Sequence, residues 1–132
     1  MAGPVSLDTN CILRWALRDI PEQAEAVDRL IRTEANISIE DMAIWEAVYV
    51  LELQYKLPRP IVAGHIESVL ALGNVNCNKD MFQQALPIYQ AHSSLSFTDV
   101  CLAIYAQLND ALPLCTFDKK LSTQLDQVRL LK

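Results

Sequence analysis

The chain has 132 residues, 52% of them hydrophobic, and a formal net charge of −5. That length and apolar content fit one domain over residues 1–132 with a single core of ordinary size. The acidic balance excludes a protein that coats nucleic acid by bulk electrostatics. No apolar run approaches the ~20 residues of a membrane span, and no basic segment with an apolar core opens the chain, so a cytoplasmic location without a membrane partner is expected.

The first apolar run, Val5-Ser6-Leu7, ends abruptly on Asp8, and Cys11 to Leu17 behind it has the spacing of a helix face. The order strand, Asp, helix places a carboxylate where ligand-binding residues collect in α/β sheets. Capping of the following helix is the other role open to it. Arg18-Asp19-Ile20 breaks the pattern, and Pro21 opens a second helix with Ala24, Val27, Leu30 and Ile31 on its apolar face. Asn36 to Ile39 reads as a second strand. Glu40 and Asp41 then start a strongly apolar helix running to about Gln54, with Glu46 among Ile44, Ala47, Val48, Val50, Leu51 and Leu53.

Lys56 to Pro60 separates that helix from a fourth, which Gly73 ends, so residues 42–72 form a helical hairpin. It is greasy enough to be either core or a partner surface. Val75-Asn76-Cys77 is a minimal third strand, and Asp80 opens a helix that Pro87 should kink. Another helix starts at Phe97 with Asp99 in its first turn. Leu112 to Thr116 is a fourth strand followed at once by Asp118, and Gln127 to Leu131 a fifth. Strands alternating with helices predict an α/β fold: a three-layer α/β/α domain around a central parallel sheet of about five strands.

The four cysteines form no Cys-x-x-Cys pair and read as reduced core residues, and the two histidines lie at no zinc-ligand spacing. Any metal is therefore expected to be hard and oxygen-bound. Asp8 and Asp118 sit at strand tips, Asp99 in a helix's first turn and Glu46 on a helix after a strand. Parallel strands put their carboxyl ends on one sheet edge, so the four acids can converge there. Repulsion between them is relieved by raised pKa values or divalent cations. Magnesium, with manganese as the alternative, suits such a pocket and can activate water against a phosphodiester.

In their order along the chain, Asp8-Thr9-Asn10, Trp45-Glu46-Ala47-Val48, Phe97-Thr98-Asp99-Val100 and Thr116-Phe117-Asp118-Lys119 resemble the PIN domain. More narrowly they resemble the VapC-type toxins of toxin–antitoxin pairs. The resemblance covers essentially the whole chain. It implies a ribonuclease whose metal-binding acids are Asp8, Glu46, Asp99 and Asp118, with Thr116 supporting the pocket through its hydroxyl and Asn10 orienting the carboxylates around Asp8. It also implies a five-stranded parallel sheet between helices, a homodimer, an RNA substrate and a cognate antitoxin. Ser96 stands where many relatives carry a further acid, which predicts one firmly held ion and one recruited with substrate.

Arg14 and Arg18, four apart on one helix face, and Lys119 beside Asp118 are the candidates for RNA contact. Each also fits an ordinary surface cation. Trp15, Trp45 and the four tyrosines are read as core rather than as base-stacking surfaces. Two other functions compete: an aspartyl phosphoryl-transfer enzyme with Asp8 as nucleophile, and a PIN-fold scaffold without catalysis, which would be expected to lose pocket acids.

Overall fold

The computed structural model describes residues 3–132, and the chain divides into two compact units, one ending at Lys79 and one spanning Asp80–Lys132. In the first unit, β1 (Val5–Ser6), β2 (Ile37–Ser38) and β3 (Val75–Asn76) form a parallel sheet in the order β1-β2-β3. Val5, Ile37 and Val75 stand in register, as do Ser6, Ser38 and Asn76. Each parallel step needs a helical crossover. The first is α1 (Thr9–Leu17) and α2 (Pro21–Thr33). The second is α3 (Asp41–Tyr49), a π-helical turn over Val50–Gln54 and α4 (Arg59–Leu70).

Branched aliphatics make this unit's core, with Ile12, Ile37, Ile39, Ile44, Val48, Leu51, Val62 and Ile66 all buried. α1 packs on α2 and α3, and α3 on α4. Between sheet and helices lies a wholly apolar cavity of about 10 Å³, bounded by Leu7, Ile12, Trp15, Val69 and their neighbours. A space so small and without polar lining has no use for water.

In the second unit, α5 (Lys79–Ala91, entering from the last residue of the first), α6 (Phe97–Leu108), β4 (Leu114–Thr116), α7 (Lys119–Gln124) and β5 (Val128–Leu130) follow in order. β4 and β5 pair in parallel, Leu114 to Val128 and Thr116 to Leu130. The core here is aromatic: Phe97 stacks on Phe82, centroids 6.1 Å apart, and meets Tyr89 edge-on at 5.2 Å. Such pairs add specific geometry to the apolar burial.

The α/β fold with parallel strands is as expected, but the five strands pair as three plus two and not as one continuous sheet. Each strand is only two or three residues long, so few ladder bonds are available to extend the pairing. The helix expected over 42–54 changes to π winding at Val50, where the Tyr55 N–H reaches the Val50 carbonyl at 3.0 Å. α5 continues past Pro87 to Ala91 as one helix, and α7 is a helix the sequence pattern did not reveal. No helix among the described residues is long and apolar enough to cross a membrane. None of the four cysteines is in a disulfide. Cys101 is buried, but Cys115 is exposed because alternation along β4 turns it away from the half-buried Leu114 and Thr116.

Candidate functional site: acids at the strand tips and helix starts

Asp8 follows β1 by two residues, and its backbone at φ −88, ψ 178 is extended, as a residue just outside a helix must be. Its Oδ1 accepts the Cys11 N–H at 2.9 Å, which fixes the carboxylate at the start of α1. The Cys11 backbone N–H first, then the Cys11 thiol, hold the Asp8 carboxyl below its ordinary value, with the Asn10 backbone N–H adding to them and burial opposing. The Asn10 link given by the structure is thus through the main chain. Thr9 Oγ1 donates to the Ala43 carbonyl at 3.3 Å, tying the Asp8 turn to the first turn of α3. One turn further along α3 comes Glu46, which is exposed.

Met42, Glu46, Tyr49 and Leu53 recur at one-turn spacing and all reach solvent, the three apolar ones at 75%, 58% and 54% exposure. The core reading of Tyr49 and Tyr55 is therefore corrected, since both are exposed, while Tyr89 is buried as expected. Tyr55 is held at the surface by Arg14, whose Nη2 donates to its hydroxyl at 3.2 Å.

Arg14 also grips both oxygens of Asp19, at 2.9 and 2.8 Å, and Arg18 both oxygens of Asp28, at 2.9 and 2.6 Å. Both guanidinium groups are thereby engaged in two-point pairs with carboxylates. Arg18 is in addition the left-handed residue (φ 53) that ends α1. The Arg18 guanidinium holds the Asp28 carboxyl below its ordinary value, assisted by the Trp15 indole.

In the second unit, Ser96 caps α6: its Oγ accepts the Asp99 N–H at 3.1 Å. The side chain of Asp99 is left half-exposed in the first turn, where the helix dipole favours negative charge. At the β4 tip, Asp118 caps α7, its Oδ1 accepting the N–H groups of Lys120 at 2.9 Å and Leu121 at 3.3 Å. Thr116 Oγ1 accepts the Asp118 N–H at 3.0 Å and so sets the angle at which the capping residue leaves the strand. Phe117, Lys119 and Lys120 around it are all exposed.

The four motif acids thus stand two in each unit, Asp8 and Glu46 in the first, Asp99 and Asp118 in the second. Within each unit, the described residues gather no group of three or more His, Cys, Asp or Glu side chains able to hold a metal ion. Ion pairs among the described residues join Arg14 to Asp19, Arg18 to Asp28, Arg32 to Glu25 and Arg59 to Glu52, and none involves a motif acid. Four oxygen-only donors, each open to water and without a cationic partner, are the donor chemistry that a hard divalent ion takes. The residue the sequence pattern passed over is Phe117, an aromatic side chain at 77% exposure between Thr116 and Asp118. Its signal in the sequence was an aromatic ring set among polar and charged neighbours at a strand tip.

No curated protein matches the chain. The PIN domain family model matches it over residues 5–124. That span takes in all four motif acids and the turns that carry them, and the chain belongs to the PIN domain family.

Proposed function

We propose that this PIN domain is a magnesium-dependent endoribonuclease acting as the toxin of a toxin–antitoxin pair, and that Asp8, Glu46, Asp99 and Asp118 hold its metal. PIN domains are as a rule metal-dependent nuclease domains that act on nucleic acid. The observation that carries the reading is the placement of the acids: Asp8 and Asp118 follow parallel strands and cap the next helices, Asp99 lies in a helix's first turn, and none of the four motif acids is taken up by an arginine. A carboxylate that is neither paired nor needed for packing is available to a metal ion or a substrate.

Magnesium bound there would supply a water of lowered pKa and charge stabilisation at the phosphate. The chain's own residues fix the donors. Capping bonds hold Asp8 and Asp118 at one oxygen each. Thr116 sets the Asp118 backbone, Ser96 the first turn around Asp99, and Thr9 the helix that carries Glu46. Asn10 and Lys119, next to these acids, are proposed to orient the carboxylates and to meet substrate phosphate. Arg14 and Arg18 would serve RNA only by leaving their carboxylate partners.

The reading extends to one catalytic domain working in the cytoplasm as a homodimer and restrained by an antitoxin. The exposed face of Met42, Tyr49 and Leu53 supports a protein partner, because apolar side chains recurring along a helix are what a partner helix buries. The test is cleavage of total cellular RNA by antitoxin-free protein with magnesium or manganese, beside EDTA and Asp8→Asn. Metal-dependent cutting that the variant loses is the expected result. A folded wild-type chain that cuts nothing with either metal would move the assignment to a PIN-fold scaffold.

A further inference from the structure

Phe117 is more exposed than any other large hydrophobic side chain among the described residues. The exposure is built in. On both sides the main chain is tied down, by the Asp118 N–H on Thr116 Oγ1 at 3.0 Å and by the Asp118 cap on Lys120 and Leu121. The ring is therefore presented to solvent from a held backbone. Its neighbours along the chain are polar: Thr116, Asp118 and the exposed Lys119 and Lys120, neither of which joins an ion pair among the described residues. A ring flanked along the chain by charged residues is unlike the charge-depleted centre of a protein–protein interface. An aromatic face with ammonium groups beside it matches an unpaired nucleic-acid strand, which offers a base face to the ring and phosphates to the lysines.

We propose that Phe117 is a nucleobase shelf: an unpaired base of the substrate stacks on its ring, and the adjoining phosphate is presented at Asp118. The inference rests on the nuclease reading above. The rest of the chain makes such a shelf useful. With a net charge of −5 and four arginines already paired to carboxylates, phosphate attraction alone gives little hold on RNA, and base stacking supplies what charge does not. A duplex keeps its base faces stacked inside, so the shelf discriminates against it.

The test uses the full chain in an Asp8→Asn background that prevents cutting, with a single-stranded RNA oligonucleotide carrying 2-aminopurine and the same strand annealed to its complement. Phe117→Ala should weaken single-strand binding by about 5- to 150-fold, the range of one lost stacking contact, and abolish the quenching of 2-aminopurine. Phe117→Trp should retain both, and Phe117→Leu, apolar but without a π face, should behave as alanine does. Equal binding by wild type and Phe117→Ala, or full retention by Phe117→Leu, overturns the shelf. So does a sedimenting mass that falls in Phe117→Ala while RNA binding holds, since Phe117 is then a contact between copies. Metal-dependent cleavage by the unmutated chain is measured separately. If it persists while the shelf fails, only the shelf is lost; if it is absent, the nuclease reading is lost and with it the phosphate at Asp118.

Discussion

At the end of β1, Asp8 caps a nine-residue helix whose Ile12 and Leu13 are buried; at the end of β4, Asp118 caps a six-residue helix that buries only Leu121. Both turns use the same device, a carboxylate oxygen accepting amide N–H groups that a helix start leaves unpaired. What surrounds the device differs. The Asp8 turn continues into a helix clamped at its far end by Arg14–Asp19 and Arg18–Asp28 and tied to α3 by Thr9. The Asp118 turn is flanked by an exposed ring and two exposed lysines. The first turn is organised as an anchor and the second as a rim. One side-chain type therefore says little about a site until its neighbours are known.

The comparison breaks most sharply when charge is separated from capping. Asparagine caps a helix as well as aspartate does. Asp8→Asn and Asp118→Asn should each cut RNA hydrolysis by about 10²-fold or more, the scale on which loss of a positioned charge-stabilising group is felt. Both should leave the melting temperature close to that of wild type. Activity on total RNA and thermal melts on the same samples check it, and a variant that melts early would show that its lost activity reflects folding.

Removing the cap as well should give a smaller, purely structural effect. Asp8→Ala and Asp118→Ala are each expected to cost about 1 kcal/mol, or roughly 3–4 °C in melting temperature. Hydrogen exchange should separate the two tips. α7, with one buried anchor, should open locally, whereas α1, with two buried anchors and clamped at its far end, should open only with its surroundings. Equal local exchange in the two helices would erase the distinction between anchor and rim.

The smallest effect concerns the clamp at the far end of α1. Arg18 holds the Asp28 carboxyl below its ordinary value. A carboxyl whose folded pKa is depressed contributes stability above its unfolded value, and that contribution disappears as pH falls through the depressed value. Asp28→Asn should therefore be slightly less stable than wild type near neutral pH and converge with it in acid, as read from urea midpoints against pH. Both groups reach solvent, so the difference should also shrink in high salt.

Much of this was legible along the chain because it is local chemistry. Strand, Asp and helix at residues 5–17 follow from a short apolar run, a capping residue and helical spacing, all within one stretch of backbone. The same holds for Pro21 at the start of α2 and for Asp99 in the first turn of α6. The π turn at Val50 was not legible, since a period of 4.4 residues in place of 3.6 changes the apolar pattern little over a single turn. Nor was α7, which has only six residues and one buried apolar position.

What the sequence by itself determined is the parallel α/β order, the placing of acids at strand tips and helix starts, and membership of the PIN family, because each depends on residue type and spacing along the chain. Only the tertiary structure decided which carboxylates Arg14 and Arg18 occupy, that Tyr49 and Phe117 face water while Tyr89 is buried, and that the strands pair as three plus two. Burial and ion pairing depend on what chain segments distant in sequence bring alongside a residue, and spacing along one segment carries no record of that.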